Sequence, residues 1–262
     1  MKKGIMYLVV LLLTTSVLAA CGSEETTDGD GMKLVKDGTF TYASSGEFKP
    51  FSVASGSGEM TGFDIDVAEA VAKELGLEPA QNKFKFAGIV EGVKTGRFDV
   101  AVASHTITEE RLEQVSFSTP YYYSGPQVFV RPDSEFETFD DLKDKEIAVA
   151  KGSTYATSAE EQTENIILYD SDVTALEALN NGKHDAVITD FATGAEAMKA
   201  GLKIEAKERL GNSDQAIAVA KENEALLDEI NKALETLREN GTLKEISDKY
   251  FEEDITVDPD GE

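Results

Sequence analysis

The stretch Gly96-Arg97-Phe98-Asp99-Val100-Ala101-Val102 has an echo further along the chain, Gly182-Lys183-His184-Asp185-Ala186-Val187-Ile188. Each copy follows a helical stretch and opens on a glycine. Each then leads an aspartate into small and β-branched residues. A helix that stops at glycine and feeds a buried strand is the parallel α/β unit. Meeting that unit once in each half predicts two similar lobes. One larger sheet using the unit twice is the alternative.

The first copy opens a longer segment, Asp99–Gly125, DVAVASHTITEERLEQVSFSTPYYYSG. It reads as a buried strand, a polar turn and the start of a short charged helix. In a chain crowded with acids it places Arg111 just beyond the small hydroxyl residues Ser104, Thr106 and Thr108. An arginine can grip a carboxylate with two parallel N–H bonds, which a lysine cannot imitate. The segment is therefore expected to build half of a site for a small carboxylate, the other half coming from the second lobe. The plainer alternative is a helix-surface arginine paired with Glu109 or Glu110.

The totals narrow the function classes. The 262 residues suffice for one large or two modest domains. A formal charge of −25 repels phosphate backbones, so nucleic acid is not an expected partner. Two histidines and one cysteine leave little for histidine-based catalysis, a metal site or a disulfide framework, and no cofactor is expected. Lys2 and Lys3, the apolar run Ile5–Leu13 and the small residues before Cys21 form a secretory signal, residues 1–20. Leu18-Ala19-Ala20-Cys21 resembles the lipobox of bacterial lipoproteins, in which the cysteine becomes the lipidated N-terminus. That resemblance implies an anchor on the extracytoplasmic side of the cell membrane without a span. Cleavage before Cys21 would take the charge to −27.

Residues 21–38 read as a flexible tether, with folding from Thr39. Thr39–Ala43 is an expected strand. Asp66 with Glu69 fits a capping box for the helix that carries Ile65, Ala68, Val71, Ala72 and Leu75. Lys83–Phe86 reads as the next strand, Gln127–Val130 and Glu146–Ala150 as later ones, and Ala216–Ala220 as the return. Leu226, Leu227, Ile230, Ala233, Leu234 and Leu237 make the apolar stripe of a late helix, and Thr242 with Glu245 caps the last one. Residues 252–262 form an acidic tail expected to fray. If crossings near 124–128 and 214–217 are the only two, lobe one is 39–123 plus 217–251 and lobe two is 124–216.

Thr61-Gly62-Phe63-Asp64-Ile65-Asp66, Ser104-His105-Thr106-Ile107-Thr108-Glu109-Glu110-Arg111 and Gly152-Ser153-Thr154 together resemble the extracellular solute-binding proteins of polar amino-acid ABC transporters, solute-binding family 3. The similarity runs from about Thr39 to Phe251. It implies an α/β, two-lobed periplasmic-binding-protein-like (type II) fold with two hinge-crossing strands, closing on a free amino acid. It also implies a membrane permease as partner, and a monomer is expected. By the same resemblance Arg111, Thr106 and Thr154 hold the ligand carboxylate. Asp190 takes its ammonium with help from Ser104, and Phe48 and Phe86 flank its side chain. Ser45 stands where relatives that bind cationic amino acids place an acid. His105 replaces an apolar residue and faces either the cleft mouth or solvent. On the residues alone, core packing for Phe86 and a helix N-cap for Asp190 are the plainer alternatives. The rival function is a dehydratase-like lyase acting on an amino acid, which would need a general acid beside its substrate. No paired constellation of that kind stands out.

Overall fold

The computed structural model describes residues 26–27, 31–251, 253–259 and 261. Cys21 and the signal segment lie outside the described residues. The chain starts its first sheet with β1 (Thr39–Ser44) and passes through a flap of three short strands, Glu47–Phe48, Ser52–Ala54 and Met60–Thr61. It continues through α1 (Phe63–Glu74), β2 (Glu78–Lys83), α2 (Ile89–Lys94), β3 (Val100–Thr106), α3 (Glu109–Leu112) and β4 (Tyr122–Ser124). A second lobe follows: β5 (Pro126–Val130), β6 (Ile147–Ala150), α4 (Thr154–Glu160), β7 (Ile166–Tyr169), α5 (Asp172–Asn180), β8 (Ala186–Asp190), α6 (Phe191–Lys199) and β9 (Glu205–Arg209). The chain returns by β10 (Ser213–Val219) and ends in α7 (Glu224–Glu239) and α8 (Thr242–Phe251).

The first sheet has the order β4-β10-β3-β1-β2, with the short strand Ser116–Phe117 also on β10; the second has the order β7-β6-β8-β5-β9. In each, two βα units give three parallel strands, and an antiparallel strand, β10 in the first and β5 in the second, lies beside them and carries a further antiparallel strand at the edge. The repeated heptapeptide sits at the same place in both. Asp99 accepts from the amide of Thr41 at 2.7 Å, and Asp185 accepts from the amide of Glu146 at 3.0 Å. Each aspartate thus pins the start of its strand to the parallel neighbour through a charge-assisted bond. The two-lobed reading holds over that of a single sheet.

The hinge is built where the two crossings touch. A β-carbon on Gly125 would lie 2.1 Å from the carbonyl oxygen of Gly211, so glycine is what allows the strands to pass. Because β10 pairs with β4 and β3 from Ser213 onward, the return crossing lies at 210–212, earlier than the 214–217 read from the sequence. Folding also begins earlier than Thr39: Met32 and Leu34 are buried in the first lobe's core, and Thr26–Thr27 pairs with Lys33–Leu34. At the other end Ile255 and Thr256 are buried, and the Ile255 carbonyl accepts from the Tyr123 amide at 2.8 Å, strapping the tail to β4.

Two local expectations change for a physical reason. α1 starts at Gly62 with no side-chain cap, since its acidic residues are engaged elsewhere. Asp64 turns into the core, and Asp66 reaches α8 to bind Lys249 and Tyr250. The strand after α1 ends at Lys83, so Phe86 lies on a turn of 3₁₀ helix, Phe86–Gly88.

Candidate functional site

A cleft of about 460 Å³ opens between the lobes. Its walls are the carboxyl ends of the parallel strands and the loops that follow them, where open α/β sheets place their ligand sites. Ser45, Glu47 and Phe48 follow β1; Phe86 follows β2; Ser104 and Thr106 end β3, and Arg111 follows on α3. From the second lobe come Ala150, Ser153, Thr154 and Tyr155 after β6, and Asp170, Ser171 and Asp172 after β7.

Arg111 is oriented by its own short helix. Thr108 caps α3 and accepts from the Arg111 amide at 3.2 Å, so the side chain leaves the helix toward the cleft. Its Nη1 donates to the Thr106 carbonyl at 2.8 Å, and its Nη2 donates across the cleft to the Gly152 carbonyl at 3.0 Å. No carboxylate lies within ion-pair distance of it among the described residues. Neither Glu109 nor Glu110 is its partner, and burial pulls the guanidinium pKa down from its usual value. With five donors in a fixed fork and two carbonyls satisfied, it can still take a carboxylate. Thr106 and Thr154 face each other, their hydroxyls 3.5 Å apart, one from each lobe.

The aromatic walls are stiff. Phe48 stacks on Phe51 with centroids 4.9 Å apart, and Phe86 stacks on His105 at 4.5 Å. His105 is at neither the mouth nor a solvated turn; it is buried behind Phe86. Burial and the nearby Arg111 charge hold its pKa well below the usual histidine value, so it is neutral there. Ser45 is held by Ser52 and by the amide of Glu47. Glu47 pairs with Lys83, both half exposed.

Asp190 is fully buried at the hinge end of β8, behind the cleft-lining Tyr155. It opposes Pro126 just beyond the hinge, and its buried carboxylate accepts from the Ala192 amide at 2.9 Å as the N-cap of α6, with the Tyr155 hydroxyl at 3.3 Å. Burial raises its pKa to about 6. The buried acid that lines the cleft is Asp172, at the first turn of α5, where Thr189 donates to it at 2.6 Å. It too is buried, and burial pushes it up to about 6. The sequence reading passed over it. The available signal was an acid after Ser171 at a helix start directly following a strand.

Two polar contacts close the rim. Lys85 meets Asp170 at 2.8 Å and Lys49 meets Glu196 at 2.8 Å, each pair joining the lobes. The arrangement defines a ligand-capture protein, in which two lobes of one chain shut on a small charged molecule. The chain belongs to the bacterial extracellular solute-binding proteins, family 3, whose model matches residues 40–253. It is 33% identical over 267 residues to the probable amino-acid-binding protein YxeM of Bacillus subtilis, covering 98% of both chains. It is 32% identical to the L-cystine-binding protein TcyJ of Escherichia coli, covering 86% of each. Among solved structures, an ancestral arginine-binding protein bound to glutamine superposes with a TM-score of 0.78 at 34% identity, over 83% of this chain and all of that one. No described helix is long and apolar enough to cross a membrane.

Proposed function

We propose that this chain is the extracytoplasmic solute-binding component of an ABC importer, which captures a free amino acid between its lobes and delivers it to a membrane permease. The observation that carries the reading is Arg111, held by two carbonyls and lacking a carboxylate partner, in a cleft whose opposite lobe supplies the buried Asp172. A zwitterion satisfies both. Its carboxylate meets Arg111, Thr106 and Thr154, and its ammonium meets Asp172, with Ser104 beside it on the first lobe. Phe48 and Phe86 take the aliphatic or sulfur-bearing stem, and Ser45 and Glu47 face its far end. Burying either ligand charge unpaired costs several kcal/mol, so the two partners are required together.

Only a form with the lobes together lets Arg111 and Asp172 act on one molecule, so binding shifts an open–closed equilibrium toward closure. No covalent step is needed, and family membership does not favour the lyase alternative. Lipid attachment at Cys21 would keep the monomer at the cell membrane beside its permease. The names of the relatives suggest the test panel: the twenty amino acids with L-cystine added, screened by thermal shift. A ligand at 100 times its Kd adds about 2.7 kcal/mol of stability. A panel without a single shift would refute amino-acid capture.

A further inference from the structure

Ser104 has φ +57°, the left-handed region that a residue with a side chain adopts only when its surroundings hold it there. It sits where β3 bulges against β10: His105 opposes Ala216 while Ala101 opposes Ala218, so β3 carries two extra residues. What holds it there is a closed ring of three residues. Asp64, fully buried in the first turn of α1, accepts from the Tyr121 hydroxyl at 2.6 Å and from the Ser104 hydroxyl at 2.8 Å. The Ser104 amide donates to the Tyr121 oxygen at 3.0 Å. Neither Asp64 nor Tyr121 lines the cleft. Two residues beyond the kink, the Thr106 carbonyl is one of the two acceptors that aim Arg111.

We infer that Asp64 is a positioning residue for ligand binding: through Tyr121 and Ser104 it fixes the bulge that places Thr106, and hence the Arg111 guanidinium, without touching the ligand. The inference rests on the proposed amino-acid site. Both oxygens of Asp64 accept from hydroxyls; in asparagine one of them becomes an amide nitrogen that only donates, so one of the two bonds must reverse and that hydroxyl's own proton loses its acceptor. A glycine at position 104 adopts positive φ without help, so it should make Asp64 dispensable.

The test is calorimetric titration of L-arginine, L-glutamine and L-cystine in turn into the wild-type protein, Asp64→Asn, Ser104→Gly and the double variant. The expected result is at least a tenfold loss of affinity when Asp64→Asn is made in the wild-type background. The same change in the Ser104→Gly background should cost less than threefold. A purely structural role for Asp64 would lower thermal stability and cost the same affinity in both backgrounds. That outcome, or an unchanged affinity for Asp64→Asn, overturns the inference. Should Asp64→Asn fail to fold, Tyr121→Phe removes only the shared hydroxyl and is read in the same way. A wild-type protein that binds none of the three probes, or any other amino acid, refutes the site assignment itself and is told apart by that result.

Discussion

Replacing Asp172 with asparagine should move binding and stability in opposite directions. The carboxylate is buried, has no cationic partner among the described residues, and is raised from 3.8 to about 6, chiefly by burial. A carboxyl raised in the fold binds more protons there than in the unfolded chain, so its ionised form weakens the fold above both values. Each pH unit of displacement is worth about 1.4 kcal/mol, which puts the penalty near neutral pH at roughly 3 kcal/mol. Asparagine keeps an acceptor for Thr189 and removes the charge. The ligand-free variant should therefore be more stable than wild type at pH 7.5, by about 1–3 kcal/mol in urea denaturation. The gain should vanish near pH 4, where the wild-type carboxyl is protonated. Binding should fall, since losing one member of a buried charge pair costs about 3–5 kcal/mol, or roughly two to four orders of magnitude in Kd. Titration of the best ligand from the panel reads that directly. A variant that is less stable than wild type and binds equally well would refute the assignment of Asp172 as the ammonium partner.

Arg111→Ala should abolish measurable binding in calorimetry while leaving the circular dichroism spectrum unchanged, because its bonds go only to carbonyls at the cleft. Unchanged affinity would sink the carboxylate grip. Asp64 at about 7, with Asp172 and Asp190 at about 6, all stand above the unfolded value because they are buried. Ligand-free stability should therefore fall as pH rises from about 4 to 7; a lower melting temperature at pH 5 than at pH 8 would contradict that. Ile255→Ala should cost about 2–3 kcal/mol in urea unfolding, as truncation of a buried isoleucine does. No change would mean that the tail frays after all.

The site was half legible for a reason that differs by residue. Arg111 announced itself because a cation is conspicuous among acids and sits a few residues past a strand on the same chain segment. Phe48, Phe86, Thr106 and Thr154 were found through resemblance, and the cleft gathers them. For the acid of the second lobe the sequence offers two aspartates, Asp172 and Asp190, which both follow strands and both start helices. Their roles separate only when β8 is seen to run antiparallel to β5 at the hinge, which turns Asp190 inward to cap α6. His105 was undecidable for the same kind of reason: nothing local says that Phe86 will lie over its ring.

By itself the sequence determined what local chemistry can carry. The repeated Gly-x-x-Asp unit marks the entry of a parallel strand into the sheet of each half, with each aspartate pinning the neighbouring strand. Hydrophobic spacing set α1 and α7, and the hydroxyl-rich turn at Thr106–Thr108 delivered Arg111. Tertiary structure alone decided which of the two aspartates lines the cleft, where the hinge glycines touch, and that Ser104 is held in a left-handed kink by Asp64 and Tyr121. Each of these depends on groups 17 or more residues apart becoming neighbours. A bond or a clash of that range is created by the packing of whole elements, and no short window of sequence contains both of its ends.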